Sequence, residues 1–184
     1  MNDIVLLGPP GTGKTSSISA AVREWVDVGS SIWIIAQSNV VVKNIAERLS
    51  KHRVAFRLLV SREFYDEWFV IVFSFDAWLH SSGPCRHEHI YDDRVEESLI
   101  RTDEISTTSH DLEVLFDDVH VVLCTLSTLS NPVIGRRNVH GYVPVTNLVV
   151  DEVSQIGVFN YLVSAQLYGP SVDRMCFSMY SLII

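Results

Sequence analysis

Eight consecutive residues, Gly8, Pro9, Pro10, Gly11, Thr12, Gly13, Lys14 and Thr15, carry the spacing G-x-x-x-x-G-K-[ST]. That spelling makes a phosphate-binding loop, because each fixed position has a task in holding a nucleoside triphosphate. Glycine at Gly8, Gly11 and Gly13 permits positive φ and close backbone approach, so that successive N–H groups and the N-terminus of the following helix point at one anion. Lys14 reaches the β- and γ-phosphates, and the Thr15 hydroxyl is placed to ligate Mg²⁺. Pro9 and Pro10 withdraw two backbone donors and stiffen the turn. ATP and Mg²⁺ are the expected cofactors, although the loop alone accommodates GTP equally well.

A second group lies far along the chain, where Leu148, Val149 and Val150 lead into Asp151 and Glu152. A buried strand that delivers a carboxylate from its C-terminal end is the other half of such a site. Asp151 would hold Mg²⁺ through its water shell, and Glu152 would orient or deprotonate the attacking water. An Asp-Glu pair after an apolar run is common by chance and gains its meaning from the loop. Other candidates read as ordinary. Cys85, His87 and His89 lack the paired spacing of a zinc site and a fourth ligand. Trp25, Trp33, Trp68 and Trp78 read as packing residues, and Arg136 and Arg137 as solvated side chains that could also meet a phosphate backbone.

Both groups need strands and helices to hold them. The loop follows the apolar run Ile4, Val5, Leu6 and Leu7 and precedes a helix-compatible stretch over 16–26, a strand–loop–helix order. Residues 31–36 read as a buried parallel strand, 39–52 as a helix with Val42, Ile45, Ala46 and Leu49 at helical spacing, and 54–60 as a further strand. This alternation predicts an α/β fold: a parallel sheet with helices on both faces and the nucleotide at the carboxyl ends of its strands. Over 61–118 the pattern degrades. Residues 91–105 are expected as an acidic surface helix with Val95, Leu99 and Ile100 as its apolar stripe, and 111–116 as a short helix, the segment forming an insertion in the sheet. Strands return at 120–125 and 148–151 across a polar connection over 127–144, followed by a helix over 158–167 and a strand starting at 174.

The bulk properties fit one domain. A chain of 184 residues with 47% hydrophobic residues can bury a core but is short for two domains. The formal charge of −8 is local: eleven acids against two arginines between Glu88 and Asp118 give −9, leaving +1 elsewhere. The acidic total therefore does not exclude a nucleic-acid partner. Cys85, Cys124 and Cys176 are odd in number and widely spaced, which argues for a reducing compartment. No signal peptide and no apolar run of membrane-spanning length is apparent, so cytoplasm or nucleus is expected.

Three blocks, in order, resemble superfamily 1 helicases of the up-frameshift-like branch. Ala36, Gln37, Ser38 and Asn39, with Asn44, Ile45, Ala46, Arg48 and Leu49, resemble its A-x-S-N-x-A-x-x-N-I-x-x-R-L block after the second strand. Cys124, Thr125, Leu126, Ser127 and Thr128 resemble its T-C-x-x-A-like block, and Asp151, Glu152, Val153, Ser154 and Gln155 its DEAxQ form of the Walker B motif. The likeness covers residues 2–60 and 119–177. It implies a P-loop NTPase of RecA-like fold, a single partial ATP-binding domain over 1–184 with an acidic helical insertion at 61–118. It also implies that Gln155 lies near the γ-phosphate and couples it to a second motor domain. Ser38 and Asn39 would grip the backbone of single-stranded RNA or DNA without reading sequence. A plain helix cap is the other reading of Ser38 and Asn39, and both can hold. An AAA+ ATPase is the rival, since it shares the loop spelling. It usually places its carboxylate strand after roughly half the distance found here, lacks the Gln-Ser-Asn block, and would be marked by a ring oligomer with ATP.

Against that resemblance the chain is expected to stop short. The strand from Arg174 would lead into a G-D-x-x-Q block, where Ser178, Met179, Tyr180, Ser181, Leu182, Ile183 and Ile184 stand instead. A second RecA-like domain would supply arginines to the γ-phosphate, and such a finger is worth about 10³ to 10⁵ in rate. By the same resemblance, the upstream segment that contacts the base is expected to be absent. The expectation is an ATP-binding fragment of a nucleic-acid helicase, with weak or no activity alone, or a non-catalytic nucleotide-binding fragment. Residues 69–86 and 178–184 fit translation of retained introns, because joining Trp68 to His87 gives a more uniform sequence.

Overall fold

In the computed structural model, residues 2–9, 11–67, 93–106, 108–157 and 171–179 are described. They form a sheet of seven strands: β1 (Asn2–Leu7), β2 (Ile32–Ala36), β3 (Phe56–Val60), β4 (Leu99–Arg101), β5 (Val121–Thr125), β6 (Asn147–Val150) and β7 (Arg174–Met179). Their order across the sheet is β1-β7-β6-β2-β5-β3-β4. Every pairing is parallel, so all seven carboxyl ends reach the same edge.

The middle strands are apolar at successive positions because helices or turns cover both faces of the sheet. All five residues of β2 and of β5 are buried, as are all four of β6. On one face Ile34, Ala36, Val149 and Cys176 pack with Ile18 and Val22 of α1 (Lys14–Asp27) and Ile45 and Leu49 of α2 (Asn39–Lys51). On the other, Trp33, Ile35, Val122, Cys124 and Val150 pack with Leu129, Ile134 and Val139. These last three come from the connection expected to be polar, which folds into three short helices, Leu126–Leu129, Pro132–Arg136 and Val139–Tyr142. Thr125 and Asn131 cap the first two, accepting hydrogen bonds from the backbone N–H groups of Thr128 and Val133. Trp33 is fully buried, and its indole N–H donates to the Val143 carbonyl at 2.9 Å. That bond satisfies its one polar atom and ties the connection to the sheet.

One element differs from expectation. Among the described residues, the acidic helix expected over 91–105 covers only Asp93–Glu97, and Leu99–Arg101 is instead β4, paired with β3 at the sheet edge. Leu99 packs on the α1–α2 face and Ile100 in the opposite cluster. Successive apolar residues on opposite faces have the period of a strand, whereas a helical stripe needs them on one side. Three residues of the expected insertion thus belong to the sheet. The helix expected over 158–167, the segment 69–86, and Trp68, Trp78, Cys85, His87 and His89 lie outside the described residues, as do residues 180–184.

Candidate nucleotide site

The carboxyl edge of the sheet carries every candidate residue. The loop from Gly8 leaves β1, Asp151 and Glu152 leave β6, and β7 runs between those two strands. Ser38 and Asn39 follow β2, the neighbour of β6 on its other side.

Gly11 and Gly13 lie at φ 80° and 86°, a region that glycine enters without penalty. Gly8 is different from expectation, since its φ is not positive. It is required for close approach instead: a Cβ there would stand 2.7 Å from the Thr12 hydroxyl oxygen. That hydroxyl donates to the Pro9 carbonyl at 2.8 Å, which closes the turn on itself. Lys14 spans the loop, its ammonium donating to the carbonyls of Gly8 at 2.7 Å and Pro9 at 2.9 Å. Pro10 lies outside the described residues.

Gly13 is the N-cap of α1, and no acidic residue occupies the first turn of that helix. Its N–H groups and positive dipole end are therefore free of an internal counter-charge and suited to an anion. Thr15, half-buried in that turn, makes no side-chain hydrogen bond among the described residues. The turn is braced from α2, where Arg48 donates to the Ser16 hydroxyl at 2.6 Å. Thirty-two positions separate the two residues, so no local spacing signals the contact.

Asp151 is 4% exposed and continues the ladder of β6, its N–H donating to the Ile35 carbonyl at 2.9 Å. Its Oδ1 accepts the Glu152 N–H at 2.9 Å. Glu152 itself sits at φ 54° and ψ 42°, a left-handed conformation costing a non-glycine residue about 1–2 kcal/mol. The chain thereby turns sharply out of the strand into the single turn Val153–Gln155. Burial and the nearby Asp151 charge push the Cys176 thiol up from its ordinary pKa.

Among the described residues no three His, Cys, Asp or Glu side chains converge as metal ligands. The donor set fits Mg²⁺ nonetheless, because that ion keeps several waters and needs few protein ligands beside phosphate oxygens. Thr15 and Asp151 would be those ligands. Ser38 acts as the N-cap of α2, its hydroxyl oxygen accepting the Val41 N–H at 3.4 Å, and Asn39 opens the helix half-buried.

A seven-stranded, all-parallel sheet with a glycine-rich loop after its edge strand and a carboxylate pair after a central one marks a RecA-like P-loop domain of the superfamily 1 helicase kind. Residues 2–169 match the model of the AAA domain family, and the chain belongs to that family. Over 152 residues, 83% of the chain, it is 28% identical to the DNA replication ATP-dependent helicase/nuclease DNA2 of Mus musculus, covering 12% of that protein. Over 57 residues it is 37% identical to ECM32 of Saccharomyces cerevisiae, which carries an ATP-dependent RNA helicase name, covering 5% of it. The chain thus spans a small fraction of the curated relatives it matches. The crystal structure of the Pyrococcus furiosus Hef helicase domain superposes over 98% of this chain and 30% of its own length, with a TM-score of 0.51 at 14% identity. The described residues contain no helix long and apolar enough to cross a membrane.

Proposed function

We propose that this chain is the ATP-binding part of a nucleic-acid helicase motor of the DEAxQ branch, in which hydrolysis is coupled to movement along single-stranded RNA or DNA. The observation that carries the reading is the convergence of the Gly8 loop and the Asp151–Glu152 pair on one sheet edge, on strands separated only by β7. Lys14 gives up its bonds to the Gly8 and Pro9 carbonyls and takes phosphate oxygens instead. Gly11, Thr12, Gly13 and the first turn of α1 supply N–H groups to the same anion. Thr15 and Asp151 would hold Mg²⁺, which when bound would neutralise phosphate charge.

Glu152 takes a proton from the attacking water, and its strained backbone carries the carboxylate out of the strand toward the edge. Gln155 follows within one turn and couples the nucleotide to a second motor domain. Ser38 and Asn39, with the N-terminus of α2, meet a nucleic-acid backbone. The relatives support nucleic acid as the partner class, one being named for DNA and the other for RNA. Because the activating arginines belong to a second domain in such motors, this chain alone binds ATP and hydrolyses it weakly.

The test is binding of a fluorescent ATP analogue and single-strand-stimulated hydrolysis by the full chain and by Lys14→Ala. Saturable, Mg²⁺-dependent binding that Lys14→Ala weakens at least about tenfold is expected, the loss of a charge-assisted contact. Binding that is indifferent to Lys14 would sink the proposal.

A further inference from the structure

The strand between the two halves of the site carries a buried side chain that has no partner among the described residues. Ser178 is fully buried, and among the described residues its hydroxyl has no hydrogen-bond partner. Buried hydroxyls are rarely left so. In register, Ser178 pairs with Leu6 of β1, two residues before the phosphate-binding loop. On the other side Val150 pairs with Phe177, so the next residues, Asp151 and Ser178, stand level on strands about 4.8 Å apart.

They also share a face. Side chains alternate along a strand, and Cys176, Leu6 and Val149 all pack in the cluster beneath α1. Ser178 and Asp151, two residues beyond Cys176 and Val149, therefore face α1 as well. The Asp151 charge felt by Cys176 agrees with that placement. The unused hydroxyl thus lies between the strand that carries the loop and the carboxylate opposite it.

We propose that Ser178 is a positioning residue for Asp151: with Mg²⁺ bound, its hydroxyl donates to the Asp151 carboxylate and fixes the orientation in which that group serves the metal. The proposal rests on the reading of Asp151 as the metal-holding carboxylate. Asp151 is already held by the Glu152 N–H on Oδ1, and a second donor from β7 leaves the carboxylate one orientation. Because the Ser178 hydroxyl has no partner among the described residues, turning it toward Asp151 breaks no bond there. Outer-shell donors of this kind set metal affinity by roughly ten- to a hundredfold.

The test uses the full chain as wild type, Ser178→Ala, Ser178→Cys and Asp151→Asn. Binding of a fluorescent ATP analogue is followed against Mg²⁺ concentration, and thermal unfolding is followed without nucleotide. Ser178→Ala is expected to unfold at the wild-type temperature or slightly above, since no native bond is removed. Its half-saturating Mg²⁺ concentration is expected to rise about tenfold, with nucleotide binding in the absence of metal unchanged. Ser178→Cys, a weak donor, should fall between. Wild-type Mg²⁺ dependence in Ser178→Ala, with the dependence lost in Asp151→Asn, overturns the role of Ser178 and leaves that of Asp151 standing. Wild-type dependence in Asp151→Asn overturns both. A markedly lower unfolding temperature of Ser178→Ala shows that the hydroxyl already serves the free fold, and overturns the proposal too.

Discussion

Gly8 and Gly11 serve the same loop for different physical reasons. Gly11 and Gly13 hold backbone angles that other residues adopt with strain, whereas Gly8 leaves space for the Thr12 hydroxyl. The distinction is testable at the level of side chains. In Gly8→Ala the new methyl would stand 2.7 Å from Thr12 Oγ1, so Thr12 must leave its bond to Pro9 and open the turn. Nucleotide affinity should fall by roughly fivefold or more, the worth of about one hydrogen bond and some disorder. Adding Thr12→Ala, which removes the clashing oxygen, should restore most of that loss. A double-mutant cycle on nucleotide affinity measures the coupling, and strict additivity would show that the two residues do not meet.

At the scale of elements, Trp33 on β2 and the connection after β5 form one unit that also contains His140. The imidazole lies against the Trp33 ring, centroids 4.8 Å apart at 48°, and burial pushes its pKa down from 6.5 to about 4. The unfolded chain therefore takes up a proton, as pH falls below 6.5, that the folded one refuses until about 4. Stability contributed by neutral His140 is complete above that window and is lost on acidification through it. Asp103 and Asp111 have lowered pKa values, through Arg101 and through Thr108 and Ser106 respectively, so their contribution persists down to the ordinary 3.8 and is lost below it. Between about pH 7 and about pH 5, His140→Phe should lose less of its unfolding temperature than wild type does. The tryptophan was legible as a packing residue, but its histidine neighbour, 107 positions away, carried no local signal. The same division runs through the fold. Long apolar runs such as 31–36 and 120–125 announced buried strands, and Ser38 announced a helix start. β4 has three residues, too few for a period to show, and the sheet order depends on parallel crossovers that leave no mark on the strands themselves. For the candidate site, residue types and spacing singled out the loop and the carboxylates as candidates, whereas Arg48 on Ser16 and the hydroxyl of Ser178 became visible only once distant strands and helices were placed together.

At the scale of the whole molecule, the strand that leads into the glycine-rich loop is the least enclosed of the described strands. Among the described residues β1 has β7 on one side and no strand on the other, and Ile4, Val5 and Leu7 are 40%, 51% and 62% exposed. An apolar edge with unpaired backbone groups promotes association between chains. Sedimentation or size-exclusion measurements should show concentration-dependent self-association that Val5→Lys reduces, with nucleotide affinity retained because Val5 precedes the loop. Unchanged association would place the contact elsewhere. The pairing of β1 with β7 also sets an order in time. Residues 2–7 leave the ribosome well before their partner, which spans 174–179, so β1 is synthesised long before it can dock. Contacts of such large sequence separation form slowly. Until they do, the glycine-rich turn hangs on an unanchored strand, and a nascent chain lacking its final described strand has no framework on which to hold that turn.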